Sequence, residues 1–147
     1  HSFPTRRSSD LCGVVAVAGS AAKAERLRAL GADAAIDAST HDFSREAWRL
    51  SGKRGVDLCV NFIGGDTYVP SLRTLRRGGR LVTCGATAGF EPKTDLRFIW
   101  VGELAVLGSN SYSQADVETA LAHVAAGRLE PVIDARFPCR SSPPRSG

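Results

Sequence analysis

The 147-residue sequence predicts an α/β fold built on a doubly wound parallel sheet. Two observations lead to this prediction. Apolar runs of about five residues alternate with stretches of helical period, and the helical stretches end at glycines. Such alternation gives parallel strands with helices on both faces of the sheet. Ligands of open sheets of this kind bind beyond the carboxyl ends of the strands, so the residues that follow each strand are the candidates for a site.

The first half of the chain shows the alternation in its plainest form. An apolar run at 13–18 predicts a strand, and the helix predicted at 21–30 has Ser20 as its N-cap and Gly31 as its stop. A short strand at 34–36 and a helix at 42–50 follow. The run VDLCVNFI at 56–63 predicts a strand of the fully buried kind, because it is almost continuously apolar.

The second half repeats the pattern with longer connections. A helix is predicted at 66–75 with Pro70 in its first turn, and Arg-Arg-Gly-Gly at 76–79 predicts a turn. The remaining predictions are a strand at 80–84, a glycine-containing loop, a strand at 103–109, a helix at 114–126 stopped by Gly127, and an extended piece at 131–137.

Composition and charge restrict the class of protein. The net charge is +4, but residues 1–11 carry +1 and residues 139–147 carry +2, which leaves the middle at +1 and gives no support to a nucleic-acid partner. No apolar run approaches the ~20 residues of a membrane span. None of the four cysteines forms a CxxC pair. Cys59 and Cys84 lie in apolar runs and are expected to be reduced core residues, which indicates a cytoplasmic protein.

The two ends of the chain are not expected to belong to the fold. Residues 1–11, HSFPTRRSSDL, have no strand or helix period and resemble the translation of a common sequencing-adapter oligonucleotide. Residues 139–147, CRSSPPRSG, are expected to be a disordered or frameshifted tail.

Four segments resemble the medium-chain dehydrogenase/reductase superfamily, the group of zinc-type alcohol dehydrogenases and quinone oxidoreductases. They are AGSAAKAERLRALGADAAID, GKRGVDLCVNFIGG, SLRTLRRGGRLVTCGATAG and LAVLGSNSYSQADVETALAHVAAGRLEPVID. The resemblance implies a Rossmann-like domain at 12–138 that binds a nicotinamide nucleotide. It also implies hydride transfer between the nicotinamide and a small-molecule carbonyl, alcohol or activated alkene.

The resemblance further implies that this domain is incomplete. The family's first strand and glycine-rich turn have no match here, and the first predicted strand resembles the family's second. The catalytic domain, with any catalytic zinc ligands, would lie further upstream, so no catalytic or metal-binding residue is assigned and zinc dependence is left open. We expect the chain alone to be inactive, because catalysis requires positioning of substrate and cofactor between two domains.

The residues that the resemblance assigns to cofactor binding all lie at the ends of predicted strands. They are Ser20 and Lys23 at the adenosine ribose or its phosphate, Phe62, Ile63 and Gly64 beside the adenine, Gly85, Ala86 and Thr87 towards the nicotinamide, and Ser109 and Asn110 on a second nicotinamide-side strand.

The end of the first predicted strand bears on the choice between NADP and NAD. NAD-preferring Rossmann domains have an acidic residue there that binds the ribose hydroxyls, whereas this chain has Gly19 and Ser20. Ser20 can donate to a 2′-phosphate at a helix N-terminus, and Lys23 can reach the same phosphate. The sequence therefore predicts NADP, with NAD as the alternative. In the competing interpretation Ser20 is only an N-cap and Lys23 a solvated lysine.

Other classes of protein remain as alternatives. A methyltransferase with the same kind of sheet would need an acidic residue where Gly19 and Ser20 stand. A non-catalytic nucleotide-sensing module is a further alternative. The apolar stretch FIWVGELAVLGS at 98–109 leads into the last predicted strand, so the complete protein is expected to form a homodimer through that edge.

Overall fold

The computed structural model describes residues 12–133 and 135–136. The tails at 1–11 and 139–147 lie outside the described residues, as do residues 134 and 137 of the predicted extended piece. The chain divides into two compact units on either side of the Ser111–Tyr112 bond. Among the described residues no helix is long and apolar enough to cross a membrane.

The first half of the first unit contains β1 (Val15–Ala18), α1 (Ala21–Ala29), β2 (Ala34–Asp37) and α2 (Phe43–Leu50). β1 and β2 run parallel, and their last paired residues are Ala18 and Asp37. α1 begins after Ser20 because the Ser20 hydroxyl oxygen accepts a hydrogen bond from the Lys23 backbone N–H, which confirms the predicted N-cap. Asp42 caps α2 in the same way.

The second half contains β3 (Val56–Asn61), a short 3₁₀-helix (Gly65–Thr67), α3 (Tyr68–Thr74), β4 (Leu75–Thr83), α4 (Arg97–Gly102) and β5 (Ala105–Gly108). The three strands form one parallel sheet in the order β3-β4-β5. Its core is a cluster of buried leucines, with partly buried side chains from α3, α4 and the strands packed around it: Leu72, Leu75 and Leu81, with Val56, Cys59, Tyr68, Phe98, Ile99 and Leu104.

The parallel sheet and its helices confirm the predicted fold class. In the strand order 3-2-1-4-5-6 of a doubly wound nucleotide-binding domain, β2 and β1 correspond to strands 3 and 2, and β3, β4 and β5 to strands 4, 5 and 6. The described strands form two sheets, β1-β2 and β3-β4-β5, and the division falls where that order has strand 1. This agrees with the expectation that the family's first strand has no counterpart here.

The second unit is described by α5 (Gln114–Ala125). The helix begins with a capping box, in which the Ser113 hydroxyl accepts from the Asp116 N–H and the Asp116 carboxylate accepts from the Ser113 N–H. It ends before Gly127, whose φ of 66° confirms the predicted stop.

Four details differ from the prediction, and the first is α4, a helix in a segment that was predicted as loop. β3 is buried on one face only, since Leu58 and Val60 on the other face are each 53% exposed. β4 begins at Leu75, earlier than the predicted strand at 80–84, but residues 76–79 have no partner in the register with β3, and Gly78 has a φ of 71°. The pairing with β3 accommodates them by a register shift between Val56 and Leu58. Cys84 is exposed, because it follows the last residue of β4, whereas Cys59 packs against the core as expected.

Candidate functional site

The carboxyl ends of three strands lie in line at one edge of the larger sheet. Asn61, Thr83 and Gly108 are in register across β3, β4 and β5. The Ser109 N–H donates to the Thr83 carbonyl oxygen at 2.9 Å, which continues the pairing beyond the end of β5. The predicted site segments 62–64, 85–87 and 109–110 therefore begin side by side, as expected for a ligand site of an open parallel sheet.

Two of these segments are held together by backbone hydrogen bonds. The Ala88 N–H donates to the Ile63 carbonyl oxygen at 2.7 Å, and the Gly65 N–H donates to the Gly89 carbonyl oxygen at 2.9 Å. The segment after β3 and the segment after β4 thus form one connected surface.

Glycine allows this close approach. A Cβ added at Gly64 would lie 2.5 Å from the Gly89 carbonyl oxygen and 2.7 Å from the Ala86 Cβ, and Gly64 has a φ of 68°. A Cβ added at Gly85 would lie 3.2 Å from the Phe62 carbonyl oxygen. The lack of side chains at these two positions leaves room for the backbones to meet.

Asn61, the last residue of β3, organises the segment that follows it. Its side-chain oxygen accepts from the N–H groups of Ile63 and Gly64 at 2.9 and 2.8 Å. Its side-chain nitrogen donates to the hydroxyls of Thr67 and Ser71 at 3.1 and 2.8 Å. Asn61 is only 5% exposed, so these four bonds satisfy its amide in a buried position. Sequence reasoning missed this role, although a polar residue inside an apolar strand pattern was the available signal.

The surface beyond the strand ends is accessible to a ligand. Phe62 is 55% and Ile63 37% exposed. Most of the other predicted residues here are exposed as well: Gly85, Thr87, Ser109 and Asn110, with Ala86 half-buried. Beside them lies an open cavity of about 800 Å³, lined by Gly65, Asp66, Val69 and residues 88–93. The exposed Phe62 side chain is a flat apolar group, and it lies next to glycine backbone that has no side chain. Such an arrangement can receive an aromatic ring of a ligand.

Ser20 and Lys23 belong to the smaller sheet. Ser20 is half-buried between β1 and α1, and Lys23 is exposed in the first turn of α1. The Ser20 hydroxyl oxygen is 3.4 Å from the Lys23 backbone nitrogen, a long contact for a hydrogen bond. The Ser20 hydroxyl proton and the N–H groups of Ala21 and Ala22 at the start of α1 can donate to an anion there.

Asp37 adds a negative charge near this position, which sequence reasoning missed. It ends β2 in register with Ala18 and therefore stands one strand away from Gly19 and Ser20. Hydrogen bonds from the Ser39 hydroxyl at 2.6 Å and the Ser39 N–H at 2.9 Å lower the pKa of Asp37 below its usual value. The ends of parallel strands meet at one edge, so the sequence pattern did contain the signal.

The part of the chain that the structure describes contains no group of three or more His, Cys, Asp or Glu side chains that could hold a metal ion. The described residues therefore do not fit a zinc site.

Parallel strand ends, glycine contacts and a helix N-terminus beside β1 define a nucleotide-binding α/β domain. Residues 10–126 match the family described as zinc-binding dehydrogenase, and the chain belongs to this family. The family lies within the medium-chain dehydrogenase/reductase superfamily, as the resemblance implied.

Similar proteins show which chemistry accompanies this domain elsewhere. The crotonyl-CoA reductase of Streptomyces collinus is 26% identical over 84% of this chain and 31% of that protein. A crystal structure of an NAD-dependent alcohol dehydrogenase is 33% identical, with a TM-score of 0.75 over 81% of this chain and 35% of that one. The crotonyl-CoA carboxylase/reductase AntE in complex with NADP is 25% identical, with a TM-score of 0.73 over 82% and 36%. The chain thus spans about a third of the length of these relatives.

Proposed function

We propose that this chain is the cofactor-binding part of an NAD(P)-dependent oxidoreductase. The observation that carries the proposal is the row of strand ends after Asn61, Thr83 and Gly108, with exposed apolar and glycine residues beyond it. The cofactor, when bound, supplies hydride transfer at the nicotinamide, and the protein binds and orients it. The substrate is a small molecule with a carbonyl, alcohol or activated alkene.

The residues of the row would hold the two ends of the cofactor. Phe62 and Ile63 present apolar surface for the adenine, and Gly64 allows their segment to lie against the next one. Gly85, Ala86 and Thr87 would face the nicotinamide together with Ser109 and Asn110. The absence of a side chain at Gly85 lets the segment after β4 lie against Phe62, and the exposure of Gly85 at the strand end supports this assignment.

The proposed cofactor is NADP. Ser20 and the N-terminus of α1 offer donors to a 2′-phosphate, and Lys23 supplies a positive charge within one turn. The negative charge of Asp37 would repel a 2′-phosphate. The preference for NADP over NAD therefore depends on the balance between the Lys23 ammonium and the Asp37 carboxylate. Since Asp37 and Lys23 are solvated, neither charge dominates.

The proposal extends to assembly and location. Among the residues that the structure describes, β5 pairs with β4 along one side only, and Val106 and Leu107 are 37% and 46% exposed. A second copy could pair along the free side of β5, which supports a homodimer of the complete protein. The cysteines that the structure describes are free thiols, which supports a reducing compartment such as the cytoplasm.

The test is binding of NADPH and NADH to the 147-residue chain by titration calorimetry. The double variant Ser20→Asp with Lys23→Ala should weaken NADPH binding at least tenfold, about 1.4 kcal/mol, and leave NADH binding unchanged. Asp37→Asn should instead strengthen NADPH binding by roughly two- to fivefold, because an exposed opposing charge is removed.

Arg45→Ala is the matched control, since Arg45 holds in α2 the third position that Lys23 holds in α1. It should alter neither affinity. An equal loss of NADPH and NADH affinity in the double variant would show that Ser20 and Lys23 only support the helix. A chain that binds neither dinucleotide would refute the proposed function.

A further inference from the structure

Asn61 occupies a position from which it can influence both ends of the proposed cofactor. Its bonds to the N–H groups of Ile63 and Gly64 fix the segment beyond β3. That segment is bonded in turn to Ala88 and Gly89 beyond β4. Asn61 also accepts at its own backbone oxygen from the Cys84 N–H at 3.4 Å. One buried side chain thus supports two strand ends that face different parts of a dinucleotide.

The hydrogen-bond network around Asn61 requires an amide and not a carboxylate. The Thr67 hydroxyl donates to the Gly64 carbonyl oxygen at 2.7 Å, and the Ser71 hydroxyl donates to the Thr67 carbonyl oxygen at 2.8 Å. Both hydroxyl protons are therefore committed elsewhere, and the two oxygens can only accept from position 61. The asparagine NH₂ group supplies both donors, while an ionised aspartate supplies none.

We infer that Asn61 is a positioning residue that presets the segments at 62–64 and 85–89 for the dinucleotide, so that its replacement weakens binding of the nicotinamide half as well as the adenosine half. The inference rests on the proposed function and adds the residue on which the binding geometry depends. The physical reason is preorganisation: an apparent dissociation constant rises as the binding-competent fraction of the protein falls.

Asn61→Asp is the informative substitution because it keeps size and both acceptors. It would place carboxylate oxygens against the hydroxyl oxygens of Thr67 and Ser71 without a proton between them. At pH 7.5 we expect adenosine 2′,5′-bisphosphate and nicotinamide mononucleotide each to bind about tenfold more weakly than to the wild-type chain. A protonated aspartic acid regains one donor, so the ratio of variant to wild-type dissociation constants should fall towards one as the pH is lowered to about 5.

The experiment is a chemical-shift titration of the full chain with each of the two half-ligands. Leu75→Val is the matched control, because it perturbs the core at the opposite end of β4 and should lower stability without changing either affinity. Thr67→Val removes one acceptor and one donor of the same network. If Asn61→Asp does not fold, Thr67→Val tests the inference in its place. It should weaken the binding of both half-ligands, by a smaller factor than Asn61→Asp.

The possible results separate the inference from the proposed function. Weaker binding of both half-ligands by Asn61→Asp at pH 7.5, with affinity recovered as the pH is lowered, supports the inference. Loss of the adenosine half alone overturns it, since Asn61 would then act only on its own strand end. Unchanged binding of both, or equal losses in Leu75→Val, overturns it too. A wild-type chain that binds neither half-ligand overturns the proposed function, and the inference with it.

Discussion

Gly64 lies where the two site-forming segments come closest, and its surroundings leave no space for a side chain. Its φ of 68° is unfavourable for any other residue, and an added Cβ would meet the Gly89 carbonyl oxygen at 2.5 Å. Gly19, at the end of β1, is a useful contrast because an added Cβ would meet no atom within 4 Å. The same glycine-to-alanine change therefore meets two opposite environments in one chain.

We predict that Gly64→Ala lowers the free energy of unfolding by about 2–4 kcal/mol, from backbone strain and overpacking together. Gly19→Ala should change it by less than about 1 kcal/mol. Urea denaturation followed by circular dichroism measures both. Similar values for the two variants would contradict the close approach described for Gly64.

The residues of the site differ in how well sequence alone predicts them. Ser20 was predicted as an N-cap because its partner, the Lys23 N–H, lies three residues away in the chain. Asn61 was not recognised, because its partners Thr67 and Ser71 reach it only after a 3₁₀-helix and α3 fold back onto β3. Local hydrogen bonds can be predicted from local sequence, whereas a network across elements requires the packing.

β5 is the edge element of the larger sheet, and its free side is the surface on which the proposed homodimer depends. Its residues Val106 and Leu107 are exposed, and α4, which precedes β5 in the chain, has further exposed apolar residues, Trp100 at 64% and Val101 at 63%. An unpaired apolar edge strand is a site of association unless something covers it.

We predict that the 147-residue chain dimerises at micromolar concentration and that Leu107→Lys raises the dissociation constant at least tenfold. In a symmetric β5–β5 contact the two introduced lysines would lie close together and repel each other. Sedimentation equilibrium gives the dissociation constant. Leu58→Lys is the control, because it also replaces an exposed leucine by lysine but lies on β3, which β4 separates from β5. A wild-type chain that sediments as a monomer would contradict this prediction, and a monomeric complete protein would refute the proposed edge.

Helix ends were predicted more accurately than strand ends, and the reason is physical. α1 and α5 end beside Gly31 and Gly127, both with positive φ, and α2 begins at an aspartate cap. β4 starts five residues before the predicted strand, at Leu75, because Leu75 pairs with Val56, while residues 76–79 fall in the register shift between that pair and Arg80. Strand formation depends on a partner that the local sequence does not reveal.

At the scale of the whole molecule, the alternation of strands and helices was sufficient to predict the parallel fold and the edge at which the site lies. The confirmed elements place 62–64, 85–87 and 109–110 side by side. The position of Ser20 relative to this row could not be derived, because it depends on strands that belong to two different sheets.

The separation of the two sheets has a consequence for the cooperativity of unfolding. The larger sheet contains the cluster of Leu72, Leu75 and Leu81, whereas β1 and β2 share four residue pairs in a sheet of their own. Two-stranded sheets are marginal without further support. We predict that backbone amides of β1 and β2 exchange with deuterium faster than those of Cys59–Asn61 and Leu81–Thr83, through a partial opening that leaves the larger sheet intact. Exchange mass spectrometry measures this difference, and equal protection would show one cooperative unit. NADPH should slow exchange most in β1 and β2, because a ligand that bridges both sheets makes the opening of the weaker one more costly.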